Sequence, residues 1–143
     1  MSIGRIEIIR AVERVVRAAM DAFQVPVYRD RRNPLAVSDL PAVIVLTSGN
    51  EVVEEAVGGL QLRAQTVLVE AHETSKDGDV DGDVEDSVAL LIDACRDALL
   101  SNRTLSGACL GLDVFEDADP PRIEISNAVR AAATTLRVVA YHT

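Results

Sequence analysis

Three aspartates at alternate positions, Asp77, Asp79 and Asp81, with Gly82 behind them, come nearest in this chain to a known chemistry. An EF-hand calcium loop needs oxygen ligands at its first, third and fifth positions and glycine at the sixth for a sharp turn. Asp77-Gly78-Asp79-Val80-Asp81-Gly82 supplies all four, and a helical pattern follows. The twelfth position, which should be a bidentate glutamate, is Val88, and the preceding residues look like a strand rather than an entering helix. The segment therefore reads as a solvated acidic strand-to-helix loop. A small calcium-binding regulatory domain is the alternative from another functional class.

Other reactive side chains are scattered. His72 and His142 each fall near the end of a strand-like segment, and two histidines without a close cysteine or carboxylate cluster make a poor zinc set. Cys95 lies on an apolar helical stripe, where a thiol acts as a small core residue. Cys109 follows just beyond that helix, and two cysteines without a ladder of spacings imply no disulfide framework. No G-x-S-x-G, P-loop or dinucleotide fingerprint occurs, and Gly107-Ala108-Cys109-Leu110-Gly111 lacks the neighbours such motifs need. The expectation is a protein with no catalytic site and no cofactor.

Two segments suggest binding instead. Arg29, Arg31 and Arg32 gather positive charge in a loop of an acidic chain. They read either as a solvated loop or as a contact to an acidic surface such as Glu51, Glu54 or Glu55 of a neighbouring copy. Glu51-Val52-Val53-Glu54-Glu55 lies between Gly49 and Gly59 and reads as a long hairpin connection with exposed valines. Those valines have the same pair of readings, hairpin packing or partner contact.

The 143 residues amount to one domain (1–143), large enough to bury a substantial core. Apolar residues make up 48% of the chain and aromatics 3%, with no tryptophan, so the core is built from Val, Leu, Ile and Ala. That scarcity argues against aromatic platforms for single-stranded nucleic acid. Net charge is −9, from 23 acidic against 14 basic side chains, the reverse of a surface that neutralises phosphates. The N-terminus leads into a charged amphipathic segment rather than an apolar signal-peptide core, and nowhere do eighteen apolar residues run together. The expectation is a soluble protein made in a cytosol, with no membrane partner.

Periodicity places these residues on elements. Ile9, Val12, Val16, Ala19 and Phe23 recur at helical steps and predict a helix over about 6–23, with Glu13 and Arg17 as a supporting i,i+4 pair. Val25-Pro26 ends it. Val27 and Tyr28 open a short strand. Leu40-Pro41-Ala42-Val43-Ile44-Val45-Leu46 is apolar on both faces and predicts an interior strand, closed by Thr47-Ser48-Gly49-Asn50. A second core strand runs from Leu60 to Val69, beginning with Leu60, Leu62 and Ala64 inward and Gln61, Arg63 and Gln65 on a wet face. Glu73 to Asp83 reads as a loop. A second helix spans about 84–100, with Val88, Leu91, Ile92, Cys95 and Leu99 buried and Asp83 as N-cap. Strands follow at 110–115, 123–125 and 134–141. The sum is an α+β fold: a mostly antiparallel mixed sheet of about four to five strands packed with two main helices.

From Ser38-Asp39-Leu40-Pro41-Ala42-Val43-Ile44-Val45-Leu46-Thr47 onward the chain resembles the tail terminator (minor tail protein U) family of long-tailed bacteriophages. That family has an N-terminal amphipathic helix and an Asp-Phe/Leu-Pro-Ala-Val start to its first core strand. A long hairpin and a Gln-containing alternating strand like Leu62 to Val69 come next. An acidic helix matches Asp83–Leu100, an Asp-rich turn matches Asp113 to Asp119, and the closing strand matches Ala132 to Tyr141. The likeness spans nearly the whole chain and lies in order and spacing. The extra residues Asp77–Asp83 and the double proline at 120–121 depart from the pattern and keep a related head–tail joining (neck or tail-completion) protein as the alternative.

The resemblance implies structural work in a virion tail, with assembly in the host bacterial cytoplasm, for a phage or prophage. Such proteins form a hexameric ring that caps the tail tube, stops its polymerisation and offers a surface to the head-completion or connector protein. It turns the Gly49–Gly59 segment into a partner-contact arm, which puts Glu51 to Glu55 beside Arg29, Arg31 and Arg32 as candidate interface residues. An acidic ring also lets DNA pass through its lumen without specific binding.

Overall fold

Helix α1 (Arg5–Asp21) forms because apolar residues fall at three- and four-residue steps, burying Ile8, Ile9, Ala11, Val12, Val16 and Met20. Glu7 reaches back from the first turn to accept the Gly4 backbone N–H at 3.0 Å. The helix ends in a Schellman motif: Val25 N–H donates to the Met20 carbonyl at 3.2 Å and Gln24 N–H to that of Asp21 at 3.1 Å. Gln24 takes the left-handed conformation this requires, with φ 56°. Phe23 thus falls outside the helix and is exposed, not part of the buried stripe that spacing predicts. Glu13 and Arg17 do pair, at 3.0 Å.

The computed structural model describes residues 4–30, 41–55, 58–74, 83–116, 122–126 and 129–143. Strands β1 (Val27–Arg29), β2 (Ala42–Glu55), β3 (Gln61–Thr74), β4 (Gly111–Glu116), β5 (Arg122–Ser126) and β6 (Val129–His142) join α1 and α2 (Asp83–Leu100). Five strands run in the order β1-β2-β3-β6-β4, and β5 pairs with the N-terminal part of β6. Only β1 and β2 are parallel among the described pairs. The fold is thus the expected α+β arrangement, a mixed and mostly antiparallel sheet with two helices.

Both helices cover one face of the sheet. Alternate residues of each central strand supply the sheet half of the core: Val43 and Val45, Val67, Val69 and Ala71, Leu136, Val138 and Ala140, and Leu112. Their register is consistent, since Val45 lies opposite Val69 and Val69 opposite Leu136. Val84, Val88, Leu91, Ile92, Cys95 and Leu99 of α2 close the core from the other side. Each fully buried aliphatic side chain contributes about 1.5–3 kcal/mol relative to exposure. Asp83 is the first residue of α2 and shares its first turn with Glu85 and Asp86, where the helix dipole favours carboxylates. Arg96, on the flank of α2, holds Asp93 at 3.2 Å and Glu116 of β4, tying helix to sheet edge.

Three sequence expectations fail here. Thr47-Ser48-Gly49-Asn50 does not close the first core strand; β2 passes through it and continues to Glu55. The phase of the next strand is also reversed at its start. Gln65 is fully buried on the helix side of the sheet, Arg63 is half-buried, and Leu60 is 65% exposed. Glu73 and Thr74, expected in a loop, end β3.

Candidate partner-contact arm

The extension of β2 and the start of β3 build an arm. The pairing of β3 with β6 stops at Arg63 opposite His142, so from Val53 and Leu62 outward the two strands pair, among the described residues, only with each other. On its other side β2 pairs with β1, among the described residues, over Val43 to Val45 only. Asp30 seals the end of that short pairing. Its N–H donates to the Val45 carbonyl at 2.8 Å, and its carboxylate accepts from the Thr47 N–H (2.8 Å) and hydroxyl (3.0 Å). Asp tolerates the left-handed backbone (φ 49°) that aims it there. Near the tip, Gly58 and Gly59 take φ 91° and 82°, which reverses the chain without a Cβ penalty.

Two β-bulges shape the arm. The β2–β3 register slips by one residue between Thr47 and Asn50 and again between Val52 and Glu54. The first slip turns Asn50 and Val52 to the side on which Val45 and Thr47 point. The second brings Glu54, opposite Leu62, to the same side as Glu51, opposite Ala64. Without it the two carboxylates would point to opposite faces.

A polar network locks the base of the arm. Asn50 Nδ2 donates to Gln65 Oε1 at 3.0 Å and meets His142 Nε2 at 2.9 Å, which then accepts and leaves the ring proton on Nδ1. Gln65 Nε2 donates to the carbonyls of Gly49 (3.2 Å) and Thr66 (3.0 Å), so the bulge's freed backbone group is satisfied. Arg63 spans outward from Asn50 Oδ1 (3.1 Å) to Gln61 Oε1 (3.0 Å), and Gln61 reaches Glu55 at 3.1 Å. His142 is 3% exposed and its Nδ1 has no partner among the described residues. Burial of Gln65 is tolerable because both ends of its amide are bonded. Sequence reasoning missed this network; the only signal was three long polar residues at alternate positions in a strand otherwise fit for a core.

Beyond that base, Glu51 to Glu55 are all exposed, with Val53 at 51%. The five candidate interface residues of the connection therefore share one element. Arg29 does not join them. It lies at the end of β1 and pairs within the chain with Glu13 at 3.5 Å and Asp30 at 3.7 Å. Arg31 and Arg32 lie outside the described residues, as do Asp77, Asp79 and Asp81.

The remaining reactive groups are occupied or buried. His72 meets Glu70 at 3.2 Å on the helix-free face of the sheet. On the same face the Arg137 guanidinium lies 4.7 Å from the centre of the Phe115 ring, and the Tyr141 hydroxyl donates to Asp113 at 3.2 Å. That bond to Asp113, then desolvation, raises the Tyr141 pKa. Burial pushes the Cys95 thiol from 9.0 up to about 12, and burial likewise raises Cys109, so both are free thiols of low reactivity. Among the described residues no group of three or more His, Cys, Asp or Glu could hold a metal ion. None of their helices is long and apolar enough to cross a membrane. No protein-family model matches the chain, and no curated protein matches it.

Proposed function

We propose that this chain is a structural subunit of the phage or prophage tail terminator type, which assembles as a ring on the end of a tail tube and stops its growth. The single observation that carries the reading is the arm: a two-stranded extension with exposed valines and carboxylates, held at its base by a buried polar network. A monomer gains no core from such a projection. Exposed, unpaired strand edges are a template for pairing with another chain, and proteins that keep them pay for it in aggregation risk unless they are used. The resemblance in element order supports the same reading, since the long hairpin falls in the same place. The charge of −9 supports it too, because an acidic lumen repels DNA backbone and lets the genome slide.

The work is done by binding rather than by chemistry. The rigid sheet and helices fix the arm's direction, and the arm supplies the contact. The test is polymerisation of tail-tube protein with and without the purified chain, with lengths measured by electron microscopy. A terminator shortens the tubes and caps one end; overlong tubes at every concentration of added chain would contradict the reading. Binding to the connector protein with no effect on tube length would favour a neck or tail-completion role.

A further inference from the structure

The arm's acidic face has a counterpart on the same molecule. Arg10 and Arg14 project from α1, both exposed and one helical turn apart, with Ile6 (57% exposed) one turn before them. Neither arginine makes an ion pair among the described residues, whereas Arg17, Arg29 and Arg96 all do. That leaves two guanidiniums without a carboxylate partner among the described residues, beside an exposed isoleucine. Nor do Glu51 and Glu54 fold back onto their own α1; no ion pair joins the arm to that helix among the described residues.

The spacings match. Arg10 and Arg14 are separated by four helical residues, about 6 Å along the axis. Glu51 and Glu54 stand opposite Ala64 and Leu62, two residues apart on β3, or about 6.6 Å along the strand. The second bulge is what makes this so, since it brings both carboxylates to one face, with Val53 as its extra residue. From this we infer that the arm of one copy docks on α1 of a second copy, with Glu51 and Glu54 against Arg10 and Arg14 and the exposed Val53 against Ile6. Arm and helix are different surfaces, so the contact is head-to-tail. Such a contact closes into a ring or continues as a filament, depending on the rotation per subunit. The inference rests on the ring reading above and names the contact that would build it. It also relocates the basic partner of the arm, from the Arg29 region to α1.

Charge reversal tests it. E51R/E54R gives a basic arm on a basic helix, and R10E/R14E an acidic helix facing an acidic arm. By sedimentation velocity at low salt, the wild-type chain is expected to self-associate, and each reversed variant to do so roughly tenfold more weakly per reversed pair. Mixing the two variants restores assembly, because each basic arm then meets an acidic helix and each acidic arm a basic one. All four positions are exposed, and unchanged melting curves verify that the variants fold. A wild-type chain that stays monomeric at low salt, reversed variants that assemble normally, or a mixture that stays monomeric would each overturn the docking. Tube lengths measured on the same samples separate this from the terminator reading. Restored assembly with no effect on tubes breaks the function and keeps the contact; tube capping by both reversed variants breaks the contact and keeps the function.

Discussion

The two halves of β2 obey opposite rules. From Ala42 to Val45 every side chain is buried, with strands on both sides and helices above. From Glu51 to Glu55 every side chain is exposed, and among the described residues only β3 pairs alongside. One continuous strand therefore serves as the middle of a core and as the shaft of a projection. The change occurs over Thr47 to Asn50, where a bulge, an Asp30 cap and the Asn50–Gln65–His142 network coincide. Hydrophobic burial fixes the first half; hydrogen bonds at its boundary aim the second. A contact surface can thus be altered at its tip without touching the fold, while the joint between the halves belongs to both.

The comparison can be broken at several points. Leu99→Ala, in the core beneath the sheet, should cost about 2–5 kcal/mol of stability by leaving a cavity, read as a lower denaturation midpoint with unchanged slope. Gln65→Ala, at the joint, should cost about 1–3 kcal/mol, because the Gly49 and Thr66 carbonyls lose their donor. It should also raise amide exchange in Glu51 to Glu55 more than in the buried half of β2. Equal protection loss in both halves would show that the network does not define the joint.

Cys95 offers a check from pH. Its folded pKa is raised from 9.0 to about 12, so the folded state holds the thiol proton where the unfolded chain releases it. Its contribution is fully present below pH 9 and is lost as pH rises toward 12. Cys95→Ala should therefore flatten the alkaline fall in stability relative to wild type, and the native thiol should resist alkylation at pH 8. The smallest effect belongs to the arm: Val53→Asp should change stability by no more than about 0.5 kcal/mol while weakening self-association.

Much of this division was legible in the sequence. Both helices announced themselves, since Val12 to Val16 and Val88 to Leu99 keep the helical period with little interruption. The buried half of β2 was equally plain in Ala42-Val43-Ile44-Val45. The arm was not, because Ser48, Gly49 and Asn50 carry turn chemistry, and a bulge inside a strand uses the same residues as the end of one. Gln65 misled for a related reason. Alternation tells which residues share a face but not which face is inward, and hydrogen bonds from Asn50 and to Gly49 outweighed polarity. Arg29 read as free charge because its partner Glu13 lies on α1, sixteen positions away, where no local pattern reaches it.

The most direct measurement is tube capping by a chain altered only at the arm's exposed valines. Purified V52D/V53D chain would be added to polymerising tail-tube protein beside wild type, with tube length read by electron microscopy and folding by melting temperature. The melt should be unchanged, with short capped tubes for wild type and overlong tubes for the variant. A variant that melts like wild type and caps tubes equally well would contradict this, and the arm would have to be given up as the working surface.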